Sequence, residues 1–306
     1  QRLKDKMGNR ANASGEVEFV SAWGRLVGDE GRGVTTIIEM VNYTRLDCAI
    51  AAAGLMRQAL VQAAHHAVHR KAFGKRLVEQ PLMRNVLADL ALESQAATLL
   101  AMRLASAFDD RVADERERAF ARIATAIAKF WLCKRAPIHV GEALECLGGN
   151  GYVEESLMPR LYREAPLYSI WEGSGNVICL DVLRALGKEP GTAEALIHEL
   201  RSALGKDTRL DAHLVQTEAE LRQSLKHDLK DGRGDLEGQS QARRLTESLA
   251  LALQGALMAQ HGSADAAEVF IASRLGGNHG QTFGTLPVGA NISSILEPVL
   301  EGLERP

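Results

Sequence analysis

A chain of 306 residues with 46% hydrophobic and 25% charged side chains is excluded from the disordered class and is long enough for more than one domain. Its 36 basic and 39 acidic residues leave a net charge of −3, so there is no global attraction to nucleic acid or to an anionic membrane. With only 3 Trp, 4 Tyr and 7 Phe, the core is expected to be Ala, Leu, Val and Ile in close-packed helices rather than a sandwich or barrel. Cys48, Cys133, Cys146 and Cys179 show no CxxC spacing, which argues for a reducing cytosol and against a zinc finger. The longest apolar stretch, Ala49 to Met56, is far below a membrane span. The N-terminus has no apolar core of a signal peptide and begins with Gln1 rather than Met. It reads as a cytoplasmic fragment or processed product.

In chain order, residues 1–33 stand apart. Glu16 to Val20 alternates as a strand does, Trp23 to Val27 offers a second, and Gly28 to Gly33 is a glycine-rich breaker. Two strands make no stable sheet alone, so they read as the end of a β domain. From Val34 the period becomes helical, with Ile38, Val41, Arg45, Cys48, Ala52 and Leu55 on one face. Continued to Arg70, such a helix is roughly 55 Å long at about 1.5 Å per residue. Ala49 to Gly54 is small enough for a neighbouring helix to approach closely. After a break at Phe73-Gly74-Lys75, a helix is predicted at about 78–108 and, past a charged solvated turn over 109–117, a third on to about Leu147, then others near 159–163 and from Gly173. Short links between them predict an all-α, up-down four-helix bundle over 34–190. After Pro190-Gly191 the pattern restarts, with helices predicted at 192–204, 208–229, 236–261, 264–275 and 287–303. This helical extension, 191–306, holds 11 basic and 16 acidic residues.

The most suggestive chemistry lies in Ile170-Trp171-Glu172-Gly173-Ser174-Gly175-Asn176. A carboxylate precedes a Gly/Ser-rich helix entry, whose free N–H groups favour an anion. Beside a Trp that keeps water away, Glu172 is a candidate general base. The residues alone leave a second reading open, in which Glu172 merely precedes a capped helix and Trp171 plugs the core. Arg70 divides in the same way, between a phosphate clamp and a cation placed by the helix dipole. His65, His66 and His69 include one i, i+4 pair but lack the further ligands of a metal site, so no metal is expected.

Arg70-Lys71-Ala72-Phe73-Gly74-Lys75, Leu147-Gly148-Gly149-Asn150-Gly151-Tyr152, Arg160 to Ala165 and Trp171-Glu172-Gly173-Ser174 stand in the order and spacing of acyl-CoA dehydrogenases. The chain resembles that family from about Val17 to Leu186. Within it, Arg2 to Arg10, Pro81-Leu82-Met83-Arg84 and Ser169 to Asn176 are similar to the alkylation-response, AidB-type branch, as is the long helical tail.

The resemblance implies a middle β domain of which 1–33 is the end, the C-terminal bundle, and a branch-specific extension. It implies α,β-dehydrogenation of an acyl-CoA thioester by FAD, with Glu172 as base. It places Arg45 on the acyl-CoA side and Arg70 and Phe73 against the FAD of a neighbouring subunit in a homo-oligomer, a dimer of dimers. Gly148 and Gly149 would lie near that nucleotide, with Ser174 and Asn176 also at the cofactor. Some positions depart from the common pattern: Glu145 and Asn176 replace glutamines, Pro81 stands where a glutamine is often found, and Asn42 replaces an acid. The alternative from the branch is a protein that binds double-stranded DNA and protects it from alkylation, retaining FAD with little turnover. Arg243 and Arg244, the basic doublet of the tail, are then the candidate phosphate contacts.

Overall fold

Helix begins where the alternation ends. In the computed structural model, which describes residues 1–225 and 236–303, β1 (Arg2–Leu3) pairs antiparallel with β2 (Gly15–Glu16), Arg2 opposite Glu16. The alternation of 16–20 therefore continues no further as strand, and Trp23 to Val27 forms none. Phe19 and Trp23 are 80% and 90% exposed. Alternating side chains make a strand only where another strand accepts its hydrogen bonds, and among the described residues none lies beside these.

Helix α1 (Gly33–His69) is the long element expected, and it packs chiefly on α3 (Glu115–Glu145) and α2 (Pro81–Asp110). Ala49, Ala52, Ala53, Ala59 and Ala63 are buried along it, which is what lets α3 come close. Gly54 is exposed, and a Cβ there would meet nothing within 4 Å, so the approach is the work of the alanines. Between α1 and α2 the predicted break is a hairpin of β3 (Lys71–Ala72) and β4 (Lys75–Arg76). Phe73 and Gly74 both have positive φ, +53° and +81°, as a two-residue type I′ turn demands. Pro81 opens α2 at its first position, where a missing N–H has no cost. Asp114 caps α3 by accepting from the Arg116 and Glu117 N–H groups.

The short α4 (Gly149–Tyr152) and α5 (Met158–Glu164) and a 3₁₀ turn over Ala165–Ser169 carry the chain to α6 (Gly175–Lys188), the fourth bundle helix. The extension consists of α7 (Thr192–Arg201), α8 (Thr208–Ser224), α9 (Leu236–His261), α10 (Ala264–Phe270) with a π turn over Ile271–Leu275, and α11 (Ile292–Leu300). The expected end of α8 at Leu229 lies outside the described residues. Bundle and extension share one apolar cluster, in which Ile127 and Val182 join Leu196, Leu249 and Leu253. All four cysteines are free and buried. Among the described residues there is no metal-ligating cluster, and no helix is long and apolar enough to cross a membrane.

Candidate active site

Between the 3₁₀ turn and α6 the backbone turns left-handed: Glu172 has φ +57° and Gly173 φ +109°. For a residue with a side chain such a conformation costs on the order of 1 kcal/mol and persists only where its surroundings hold it. Gly173 also has little room, since a Cβ there would stand 3.1 Å from Ile178 Cδ1. Among the described residues the N–H groups of Glu172 and Gly173 have no hydrogen-bond acceptor. The first turn of α6 has free N–H groups too, because the Ser174 side chain makes no cap bond.

Two cations from two other helices hold this turn. Arg45, on α1, donates from Nε to the Glu172 carbonyl at 3.0 Å and from Nη1 to Asp181 Oδ2 at 2.8 Å. Asp181, on α6, also receives both arms of Arg122 on α3, at 2.9 and 3.0 Å. Lys129, on α3, donates to the Gly173 carbonyl and is 1% exposed. Burial pushes its ammonium pKa down. Burial likewise pushes the neighbouring Cys48 and Cys133 thiols up, to about 11 and about 12, so neither is a thiolate at neutral pH. Trp171 packs on Tyr168, ring centroids 5.8 Å apart. Its indole N–H is buried with no hydrogen-bond partner among the described residues.

Of the residues singled out in the sequence, this pole gathers Glu172, Arg45, Ser174 and Asn176. Glu172 is half-buried; Ser174 and Asn176 are exposed. Arg45 is an ion-pair and main-chain partner rather than a free cation, its side chain only 12% exposed. Arg243 is also here: Nη1 donates to Asn176 Oδ1 at 3.1 Å and the guanidinium lies 5.5 Å from the Phe130 ring centroid. Its neighbour Arg244 is 75% exposed, with Glu220 at 3.9 Å.

The remaining candidates sit at the other end of the bundle. Arg70 follows α1 by one residue, 25 positions after Arg45, or about 37 Å along a helix at about 1.5 Å per residue. Phe73 is 96% exposed at the hairpin tip. Gly148 and Gly149 follow the end of α3, and that helix runs parallel to α1, since Arg122 shares Asp181 with Arg45 and, further along both helices, Cys133 Sγ donates to the Cys48 carbonyl. Gly148 adopts φ +59°, ψ −140°, a region open to glycine alone. A Cβ on Gly148 or Gly149 would meet nothing of this chain within 4 Å.

Sequence reading missed Lys129, Asp181 and Arg122. The signal for Lys129 is a charge in the stripe Thr125–Lys129–Cys133, one face of a helix at four-residue steps; all three are buried. Arg122 also lines a cleft of about 860 Å³ between α1, the α2–α3 turn and α7, with Asn42, Arg111, Arg116 and Arg118. Glu115, Glu189 and Glu194 share its wall, and Glu189 is held by Arg122 at 2.8 Å.

Comparison with known proteins places this architecture. Residues 31–187 match the family model "Acyl-CoA dehydrogenase, C-terminal domain". The putative acyl-CoA dehydrogenase AidB of Escherichia coli K12 is 50% identical over 222 residues, 72% of this chain and 41% of that protein. Acyl-CoA dehydrogenase family member 11 of Caenorhabditis elegans is 31% identical over 273 residues, 86% of this chain and 44% of that protein. The chain thus spans less than half the length of either relative. The crystal structure of C. elegans ACDH-11 in complex with C11-CoA superposes with a TM-score of 0.78 at 27% identity, covering 98% of this chain and 54% of that one. With its bundle matched from end to end, the chain belongs to the acyl-CoA dehydrogenase family.

Proposed function

We propose that the chain carries the base-bearing part of an FAD-dependent oxidoreductase that dehydrogenates an acyl-CoA thioester between its α and β carbons. The observation that carries this reading is the tethered left-handed turn at Glu172. It presents a half-buried carboxylate next to N–H groups that no acceptor among the described residues uses.

In this reading Glu172 takes the α proton and holds it on its carboxylate. An α proton next to a thioester leaves readily only if the carbonyl oxygen that gains charge is stabilised, and unsatisfied backbone N–H groups suit that task. Trp171 keeps water from the carboxylate. The arginines of the 860 Å³ cleft suit the phosphates of a CoA carrier, in keeping with the C11-CoA bound to the C. elegans relative. FAD, when bound, supplies the acceptor for the β hydride.

The residues present fit that cofactor. The backbone of Gly148 itself demands glycine, but Gly149 has an ordinary conformation and a Cβ there would meet nothing; close approach of an outside group to the backbone accounts for it. Ser174 and Asn176 hold the cofactor from the Glu172 pole. Arg70 and Phe73, about 37 Å away by helix rise, cannot join that pole within one chain, so a second copy supplies them in a homo-oligomer.

The test is anaerobic bleaching of the flavin by a short acyl-CoA. Glu172→Gln keeps size and hydrogen bonding but removes basicity, and is expected to slow bleaching by about 10² to 10⁴ with flavin content unchanged. Equal rates in parent and variant remove Glu172 as the base.

A further inference from the structure

We propose that Lys129 is a positioning residue for Glu172: from inside α3 its ammonium holds the Gly173 carbonyl and so fixes the turn that presents the Glu172 carboxylate. The catalytic part of this inference rests on the reading of Glu172 as base; the structural part does not.

An ammonium at 1% exposure is strongly disfavoured unless paired, yet Lys129 makes no ion pair among the described residues. The groups that face it are Cys133, Cys48, Arg45 and Glu172. The two thiols are neutral, Arg45 repels it, and Glu172 attracts it without reaching salt-bridge distance. Its hydrogen bond is spent on one main-chain oxygen, 44 residues away in sequence. A core position on α3 that served packing alone would be met better by an apolar side chain of the same volume.

What the bond does follows from where it falls. Arg45 fixes the carbonyl of Glu172 and Lys129 that of Gly173, so two consecutive peptide planes are held from two different helices. Gly173, at φ +109°, has the widest conformational freedom of any residue type. Left untied, it is the joint about which the Glu172 turn relaxes. A base acts only within hydrogen-bond reach of the proton it removes, so a loose turn lowers the rate at saturation more than it weakens binding.

The test uses Lys129→Met, which keeps length and removes charge and donor, alongside Lys129→Gln, whose amide still donates. In Lys129→Met, hydrogen exchange of the Ile170, Trp171 and Ile178 amides, the hydrogen-bonded ones that flank the turn, is expected to quicken at least ten-fold, with α1, α2 and the rest of α3 unchanged and Tm held or raised. In the FAD-loaded protein, bleaching at saturating short acyl-CoA is expected to slow ten- to a hundred-fold, with half-saturation moving less than three-fold. Lys129→Gln is expected to fall between parent and Lys129→Met in both. Parental exchange at Ile170, Trp171 and Ile178 in Lys129→Met overturns the proposal whatever the catalytic result, as does loosening throughout the bundle in both variants. Local loosening with parental bleaching overturns its catalytic part. Bleaching that survives Glu172→Gln overturns the base reading alone and leaves the exchange result standing.

Discussion

Asp181 binds two arginines, so its loss and theirs are not equivalent. Arg45 and Arg122 both reach it, and all three side chains are at most 18% exposed. Asp181→Asn leaves two partly buried guanidiniums facing each other, a loss expected to cost about 3 kcal/mol. Arg45→Met leaves Asp181 still paired with Arg122 and is expected to cost only about 1 kcal/mol; urea unfolding of the two variants measures the difference. Equal losses would mean that Arg122 does not hold Asp181 unaided. The Glu172 motif is legible in the sequence because a carboxylate before Gly-Ser-Gly-Asn at a helix start is a local pattern. The destinations of Arg45 and Lys129 are not, because their partners lie 136 and 44 residues away and periodicity says only which face a residue occupies. Asn176 stands in the same local motif, but its bond from Arg243, 67 residues away, is not legible, for the same reason.

Among the elements, helices are read from sequence to within a few residues, as α1 and α9 illustrate, since long apolar periodicity fixes their faces. Short β elements are not. The alternation of 16–20 ends unpaired, while Lys71–Arg76, which looks like a simple break, closes as a hairpin. The hairpin places Phe73 at φ +53°, where Asn or Gly is the usual occupant, and exposes 96% of it. An aromatic that is both strained and unburied gains nothing from its own chain. Phe73→Asn is therefore expected to preserve Tm or raise it slightly, while lowering the flavin-to-protein ratio and the share of oligomer seen by sedimentation. Unchanged flavin and assembly would show that the hairpin tip meets neither.

At the scale of the molecule, the extension is docked on the bundle by polar groups that sequence periodicity does not reveal. Trp131 Nε1 donates to Gln254 Oε1 at 2.7 Å, and Asp89 accepts the Gly284 N–H at 2.9 Å. Arg274 spans Asp89 and Glu93, and Arg135 binds Glu93 at 2.8 Å. Duplex DNA binding through Arg243 and Arg244 is expected to be weak and to fall steeply with salt, since 16 acidic residues oppose 11 basic ones from Gly191 onward; tight binding in moderate salt that survives their joint replacement by Ala points to another surface. The docking network itself makes the fold acid-sensitive in two steps. Burial pushes His139 down to about 4 from an ordinary 6.5. It donates from Nε2 to the Leu90 carbonyl at 3.0 Å and leaves Nδ1 buried without a partner among the described residues. Between pH 6.5 and 4 the unfolded chain therefore takes up a proton that the folded chain refuses, and stability falls as pH falls. Burial alone would raise the Glu93 carboxyl, but Arg135 and Arg274 outweigh it and hold it at about 2 against an ordinary 4.5. Its stabilisation is complete above pH 4.5 and is lost as pH drops towards 2, the same sign over a lower window. Urea midpoints at pH 7, 5 and 3 are expected to decline at each step, and His139→Phe, which keeps a ring against Phe283, is expected to flatten the step from 7 to 5 and to lessen, without abolishing, the step from 5 to 3. A parent midpoint that stays level from pH 7 to 5 would mean that His139 is not held neutral inside the folded molecule.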